Sequence, residues 1–142
     1  MNIKDAKKEL LHTIQVYTRK DAHGRYLMPA VRQRPLQLVG PPGIGKTAIM
    51  EQVAKESYRV LKKQGICAFM IGDIRKKGYV LPLGMNSMQK FVDAGFKLKE
   101  IVIKEQHNCR STDYWEGKER KFLMLAHEYI FILEKADDHN PI

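Results

Sequence analysis

The run Gly40-Pro41-Pro42-Gly43-Ile44-Gly45-Lys46-Thr47 constrains this chain more than any other segment. It fits the pattern G-x-x-x-x-G-K-[ST] at every fixed position. A short apolar run, Leu36-Gln37-Leu38-Val39, precedes it, and the helical pattern Ala48-Ile49-Met50-Glu51-Gln52-Val53-Ala54 follows. That is the strand–loop–helix context a phosphate-binding loop requires. The glycines let the backbone curl so that successive N–H groups point at one anion. Lys46 would reach the β- and γ-phosphates, and the Thr47 hydroxyl would ligate Mg²⁺. Ala48 opens the helix, whose N-terminus adds partial positive charge. The nucleotide-binding set read from the sequence is therefore Gly40, Pro41, Pro42, Gly43, Ile44, Gly45, Lys46, Thr47 and Ala48, with ATP or GTP and magnesium as the ligand. The competing reading is a Gly/Pro-rich turn that precedes a helix and happens to carry Lys-Thr.

A chain of 142 residues is long enough for one domain with a real core. An apolar content of 44 %, with all three aromatic types, argues against disorder. No apolar run approaches the roughly 18 residues of a membrane span. The N-terminus Met1-Asn2-Ile3-Lys4-Asp5-Ala6-Lys7-Lys8-Glu9 is charged and has no apolar signal core. A cytoplasmic location without a membrane partner is the expectation. The two cysteines, Cys67 and Cys109, make no disulfide framework.

The net charge of +9 is unevenly placed. Residues 1–64 hold 13 Lys and Arg against 5 Asp and Glu, or +8; residues 65–142 hold 12 against 11, or +1. A basic chain fits a polyanionic partner, and an excess beside the phosphate loop fits a nucleotide as well as DNA. A solvated basic surface is the plainer alternative.

Ile3, Ala6, Leu10, Ile14 and Tyr17 recur at spacings of three and four, which predicts an amphipathic helix over 3–18. Asp21-Ala22-His23-Gly24 reads as a turn, and residues 25–35, basic with two prolines, as an extended approach to the strand 36–39. The helix after the loop should run from about 46 to 63 and end near Gly65. Ile66-Cys67-Ala68-Phe69-Met70-Ile71 is continuously apolar and reads as a strand buried on both faces. Residues 73–78 read as a turn, 85–94 as a helix ended by Gly95, and 98–104 as an alternating strand. Residues 106–121 read as a long exposed loop and 122–133 as the last strand. Strands separated by helices predict an α/β fold: a small, mainly parallel, three-layer sheet containing the phosphate-loop unit, its last strand able to pair antiparallel.

Hydrolysis of a bound nucleotide needs more than the loop. A second acid at a strand end must hold Mg²⁺ through water, and the candidate is Asp73, after Ile66–Ile71 and Gly72. The same residue could instead cap a turn or a helix. No Cys-x-x-Cys or His-x-x-x-His spacing occurs, so no metal site is expected beyond magnesium. The loop His107-Asn108-Cys109-Arg110-Ser111-Thr112-Asp113-Tyr114-Trp115 mixes amides, a guanidinium and aromatics. Asn108, Arg110, Tyr114 and Trp115 suit phosphate contact and base stacking, which makes them the candidate DNA contacts. An ordinary surface loop with Trp115 folded onto the core is the alternative.

Two resemblances divide the chain. From about residue 2 to 56 it resembles the start of a MoxR-like AAA+ ATPase, through Arg32-Gln33-Arg34-Pro35, the phosphate loop and the helix after it. The usual Glu after the strand-end Asp is absent, because Ile74 follows Asp73. From about 57 to 135 the chain resembles the C-terminal half of a class I DNA N6-adenine or N4-cytosine methyltransferase. That likeness rests on Arg59-Val60-Leu61-Lys62-Lys63-Gln64-Gly65 with the strand after it, on Gly95-Phe96-Lys97-Leu98-Lys99-Glu100, and on His127-Glu128-Tyr129-Ile130-Phe131-Ile132-Leu133-Glu134-Lys135. It implies S-adenosylmethionine as methyl donor and DNA as substrate. The [Asp/Asn/Ser]-Pro-Pro-[Tyr/Phe] motif that holds the flipped base in such enzymes is not in this sequence, nor is their Phe-x-Gly-x-Gly donor loop.

The domain expectation is an AAA+-like segment at 1–56 and a methyltransferase-like half at 57–142, folded together as one unit. The functional expectation is a DNA methyltransferase-like protein that carries an ATP/GTP-binding loop and whose missing half a partner subunit supplies. Catalytic residues are not identifiable, since the motifs of both parents are incomplete. Two alternatives stay open: a small P-loop nucleotide-binding or ATPase protein of MoxR-like type, and a fusion product without function.

Overall fold

The computed structural model describes residues 3–34, 46–106, 119 and 121–137. The chain divides into two compact units, Met1–Leu61 and Lys62–Ile142. The seam expected at 56/57 falls inside the helix that closes the first unit. Among the described residues no helix is long and apolar enough to cross a membrane.

The first unit is helical. Helix α1 spans Ile3–Thr18, as the apolar spacing predicts. Helix α2 spans Lys46–Val60 and is three residues shorter than expected. Leu61 N–H still donates to Ser57 O, but the chain then turns through Lys62–Gly65, with Gln64 at φ 60°. Ala6 and Leu10 of α1 bury against Ile49 of α2, with Val53 packed beside them. Between the helices, Asp21 organises the predicted turn. Its carboxylate accepts from the backbone N–H groups of His23 and Arg25 and from Arg25 Nε. These bonds, the Arg25 amide first, hold Asp21 below the usual carboxylate range. The approach segment is not extended at its start: Tyr26 bridges back to Lys20, Leu27 N–H donates to Arg19 O, and Ala30–Arg32 form one 3₁₀ turn. Gln33 Nε2 pins it by donating to the carbonyls of Tyr17 and Met28. The strand expected at 36–39 and the phosphate loop at 40–45 lie outside the described residues.

The second unit contains β1 (Ile66–Ile71), β2 (Ile74–Lys76), β3 (Tyr79–Leu81), α3 (Leu83–Asp93), β4 (Lys97–Glu105) and β5 (His127–Glu134). Its sheets are antiparallel, which corrects the expectation of a mainly parallel sheet. The larger sheet has the order β1-β5-β4, and β5 is antiparallel to both neighbours. β1 and β4 therefore run in the same direction, joined through α3, as a β–α–β reading requires. No parallel ladder forms between them because β5 lies in the gap and takes their hydrogen bonds. The strand thought able to pair antiparallel is the centre of the sheet rather than its margin. Sequence spacing gives strand and crossover but carries no information on which strand fills the middle.

The register assigns the faces. Phe69 pairs with Phe131, which pairs in turn with Ile101, and Cys67 pairs with Leu133, opposite Leu98, so these side chains share one face. Helix α3 brings Gly84, Ser87 and Phe91, its buried residues, to the core. Phe69 and Phe91 stack at 4.5 Å, Phe69 and Phe131 lie at 5.3 Å, and Phe91 and Phe96 at 5.8 Å. Phe91, Phe96, Phe131 and Leu133 are buried at 2 % exposure or less. The opposite face carries Ile66 and Met70, both about half exposed at 47 % and 54 %. β1 is thus buried on one face, not two, because it is an edge strand with α3 on one side only. Gly95, at φ 109°, ends α3 as expected.

Residues 73–78, read as a plain turn, instead begin a hairpin. Ile74 pairs with Leu81, Arg75 with Val80 and Lys76 with Tyr79. The two-residue turn Lys77-Gly78 has both φ values positive, 51° and 85°. That is the requirement of a type I′ turn, whose twist matches the strands. The last strand begins at His127, not at residue 122.

Candidate functional site

Three places follow from the sequence: the phosphate loop, the acid after β1 and the 106–121 segment. Of the loop set, Gly40, Pro41, Pro42, Gly43, Ile44 and Gly45 lie outside the described residues. Lys46 and Thr47 form the first turn of α2, and Ala48 follows them. A 15-residue helix thus opens directly after the glycine run. Its first backbone N–H groups have no partner within the helix, and its dipole is positive at this end. Asn108, Arg110, Tyr114 and Trp115 also lie outside the described residues. Among the described residues no group of three or more His, Cys, Asp and Glu side chains could hold a metal ion.

Asp73 lies among the described residues, and its surroundings form a polar cluster of the second unit. Gly84 N–H, in the first turn of α3, donates to Asp73 Oδ1 at 2.8 Å. Asp73 is therefore the cap of α3, a role that Pro82 at the N-cap position cannot fill. The Asp73 carboxylate acts on the Tyr129 hydroxyl, and His127 Nε2 lies 3.1 Å from that hydroxyl. The His127 and Tyr129 rings meet edge-on at 5.0 Å. Gly84 is required for this closeness. A Cβ there would stand 2.5 Å from Tyr129 Cδ2 and 2.9 Å from Cε2. At Gly72, before Asp73, an added Cβ would stand 3.3 Å from Glu128 Cγ. The register places the cluster at the end of the sheet where β1 stops and β5 starts, with Ile71 opposite Tyr129.

The sequence marks Asp73 but gives no sign of Tyr129, His127 or Gly84 as its neighbours. They come from segments 11 or more residues away, and folding alone brings them together.

Burial, and then the negative Asp73 carboxylate, push the Tyr129 hydroxyl above its ordinary value near 10. The folded state holds this proton more tightly than the unfolded chain. The stabilisation is complete below about pH 10 and is lost as pH rises through the elevated folded value. Asp73→Asn removes the charge and keeps an oxygen for Gly84. The phenolate titration of Tyr129, isolated by subtracting Tyr129→Phe, should then move down toward about pH 10. An unmoved midpoint would show that Asp73 does not act on the hydroxyl.

Comparison with known proteins gives two likenesses. Residues 36–124 match the family model of the ATPase family associated with various cellular activities (AAA). The match covers the phosphate loop and continues past residue 56, through β1 to β4, so this segment carries both likenesses. An orphan methyltransferase, M.BamHII of Bacillus amyloliquefaciens, is 30 % identical over 86 residues. That stretch is 61 % of this chain and 30 % of the relative. Two structures of a Thermus thermophilus protein assigned as a DNA modification methylase share the fold. The form complexed with S-adenosyl-L-methionine has a TM-score of 0.52 at 19 % identity, covering 76 % of this chain and 47 % of that one. The selenomethionine form has a TM-score of 0.50 at 22 % identity, covering 68 % and 39 %. This chain thus spans less than half the length of these relatives. Both resemblances read from the sequence are present, and by the extent of the family match the chain belongs to the ATPase family associated with various cellular activities (AAA).

Proposed function

We propose that the chain is a DNA methyltransferase-like protein that carries a magnesium–nucleotide site. In this reading the second unit supplies the late strands of an S-adenosylmethionine-dependent N-methyltransferase, and the first binds ATP through Gly40–Ala48. The observation that carries the reading is the β1-β5-β4 sheet with α3 on its inner face, in a chain that matches the fold of a DNA modification methylase over 76 % of its length. The donor loop and the Pro-Pro catalytic motif are not in this sequence, so the chain alone does not transfer a methyl group. A partner subunit brings them. Lys46 and Thr47 hold the phosphates and magnesium.

The test uses tritiated S-adenosylmethionine and duplex DNA of mixed sequence. The chain alone should leave the DNA unlabelled. The chain mixed with the segment of the Bacillus relative that it does not cover should label it. Donor-dependent methylation by the chain alone would overturn the reading.

A second reading, a nucleotide-binding protein of AAA type whose sheet serves only as scaffold, is favoured by the family match across residues 36–124. It predicts nucleotide binding and no labelling under either condition.

A further inference from the structure

The hairpin β2–β3 has a chemistry that the cluster around Asp73 does not use. Residues 74–81, Ile-Arg-Lys-Lys-Gly-Tyr-Val-Leu, hold three basic residues and no acid, in a half-chain whose net charge is only +1. The ribbon's two faces are differently employed. Arg75 and Val80 pair on one face. Arg75 donates from Nη1 to Gly78 O at 2.7 Å and from Nη2 to Leu123 O at 2.9 Å. Its guanidinium also lies over the Phe122 ring, 4.4 Å from the centroid. One arginine therefore locks the turn and fastens the hairpin to the residues that lead into β5.

The other face carries Lys76 and Tyr79 as a cross-strand pair, with Lys77 at the tip beside them. All three are exposed, Tyr79 to 79 %. An aromatic left so bare on a ribbon, with one lysine across from it and another at the turn, is an arrangement suited to a polyanionic surface. The position agrees. The hairpin follows the end of β1 at which Ile71 faces Tyr129, and β4 ends there with Glu105 opposite His127. The connection from β4 to β5 leaves and returns at the same end.

We infer that the β2–β3 hairpin is a nucleic-acid contact, with Lys76 and Lys77 on the phosphodiester backbone of duplex DNA and Tyr79 packed against the sugars. The choice of DNA as the polyanion rests on the methyltransferase-like reading above. The contact itself requires neither methyl donor nor nucleotide. It carries no base specificity, because ammonium groups on phosphates position a duplex without reading it.

The test is fluorescence anisotropy of the full chain with a short labelled duplex, without donor or nucleotide, between about 50 and 200 mM salt. Each phosphate contact contributes about 0.9 to the slope of log affinity against log salt. The double variant Lys76→Ala/Lys77→Ala should lower that slope by about 2 and weaken unrelated duplexes equally. Tyr79→Ala should weaken binding at an unchanged slope. The control Lys7→Ala/Lys8→Ala removes the same charge from α1 and should leave the slope nearly as it was. The altered side chains of the hairpin are exposed, so thermal unfolding followed by circular dichroism should coincide for its variants and the wild type. An unchanged slope in the hairpin variant, an equal loss in the α1 control, or no duplex binding by the wild type would overturn the inference. DNA binding that depends on the hairpin, beside a failed methylation test, would leave this contact standing and remove only the catalytic reading.

Discussion

Phe131→Ala should unfold the second unit at temperatures where the wild type is stable. Phe131 is fully buried at the middle of the central strand. It meets Phe69 at 5.3 Å and Tyr129 at 5.5 Å, and its neighbours on β1 and β4 are Phe69 and Ile101. Truncation removes the ring on which these contacts converge. It leaves a cavity that α3 cannot fill, because Phe91 already stacks on Phe69 and Gly84 already lies close against Tyr129. Large-to-small changes at such sites cost about 3–5 kcal/mol. Whole small domains are stable by only about 5–15 kcal/mol, so the loss is a large share. The inner face of this sheet relies on few residues, and Ile66 and Met70 on the outer face contribute little burial. Denaturant titration of the variant should show a midpoint far below that of the wild type. The first unit buries Ala6, Leu10 and Ile49 by itself, so α1 and α2 should keep their helical signal. A variant that melts with the wild type would mean that the aromatic cluster is not the core of the second unit.

Much of the second unit is legible in the sequence. The apolar run 66–71, the helical segment 85–94 and the alternation over 98–104 each predict an element that the structure contains. These patterns are local, and local periodicity reports which face of an element is dry. What is not legible is non-local. Nothing in His127–Glu134 says that this strand enters between β1 and β4 rather than beside them. That one insertion turns an expected parallel sheet into an antiparallel one. The hairpin escapes the pattern for a different reason. Its strands are three residues each, too short for alternation to stand out, and the signal that marks them is a single Lys-Gly turn. Asp73 stands out by its place after an apolar strand, but its partners Gly84 and Tyr129 are neighbours only through folding. The phosphate loop is the opposite case. Eight consecutive residues specify its motif, so the sequence identifies it without help from the rest of the fold.

Lys46→Ala should weaken the binding of Mg-ATP by roughly ten- to hundredfold, since a hydrogen bond to a charged group is worth about 1.5–3 kcal/mol. Chemistry and position both lead there. Lys46 is the first residue of α2, directly after the glycine run. An ammonium there adds a full charge where the helix terminus supplies a partial one. Alanine keeps the helix, since it has the best helix propensity, so the loss reports the charge and not the fold. Thr47 would still offer its hydroxyl to magnesium, which is why residual binding is expected rather than none.

Calorimetric titration of the purified chain with Mg-ATP, beside Lys46→Ala, tests most directly whether an AAA-type nucleotide site works in a chain that otherwise resembles part of a DNA methyltransferase. Saturable binding by the wild type and a large loss of affinity in the variant are the expected results. A well-folded wild type that takes up no Mg-ATP would contradict the assignment of a working nucleotide site.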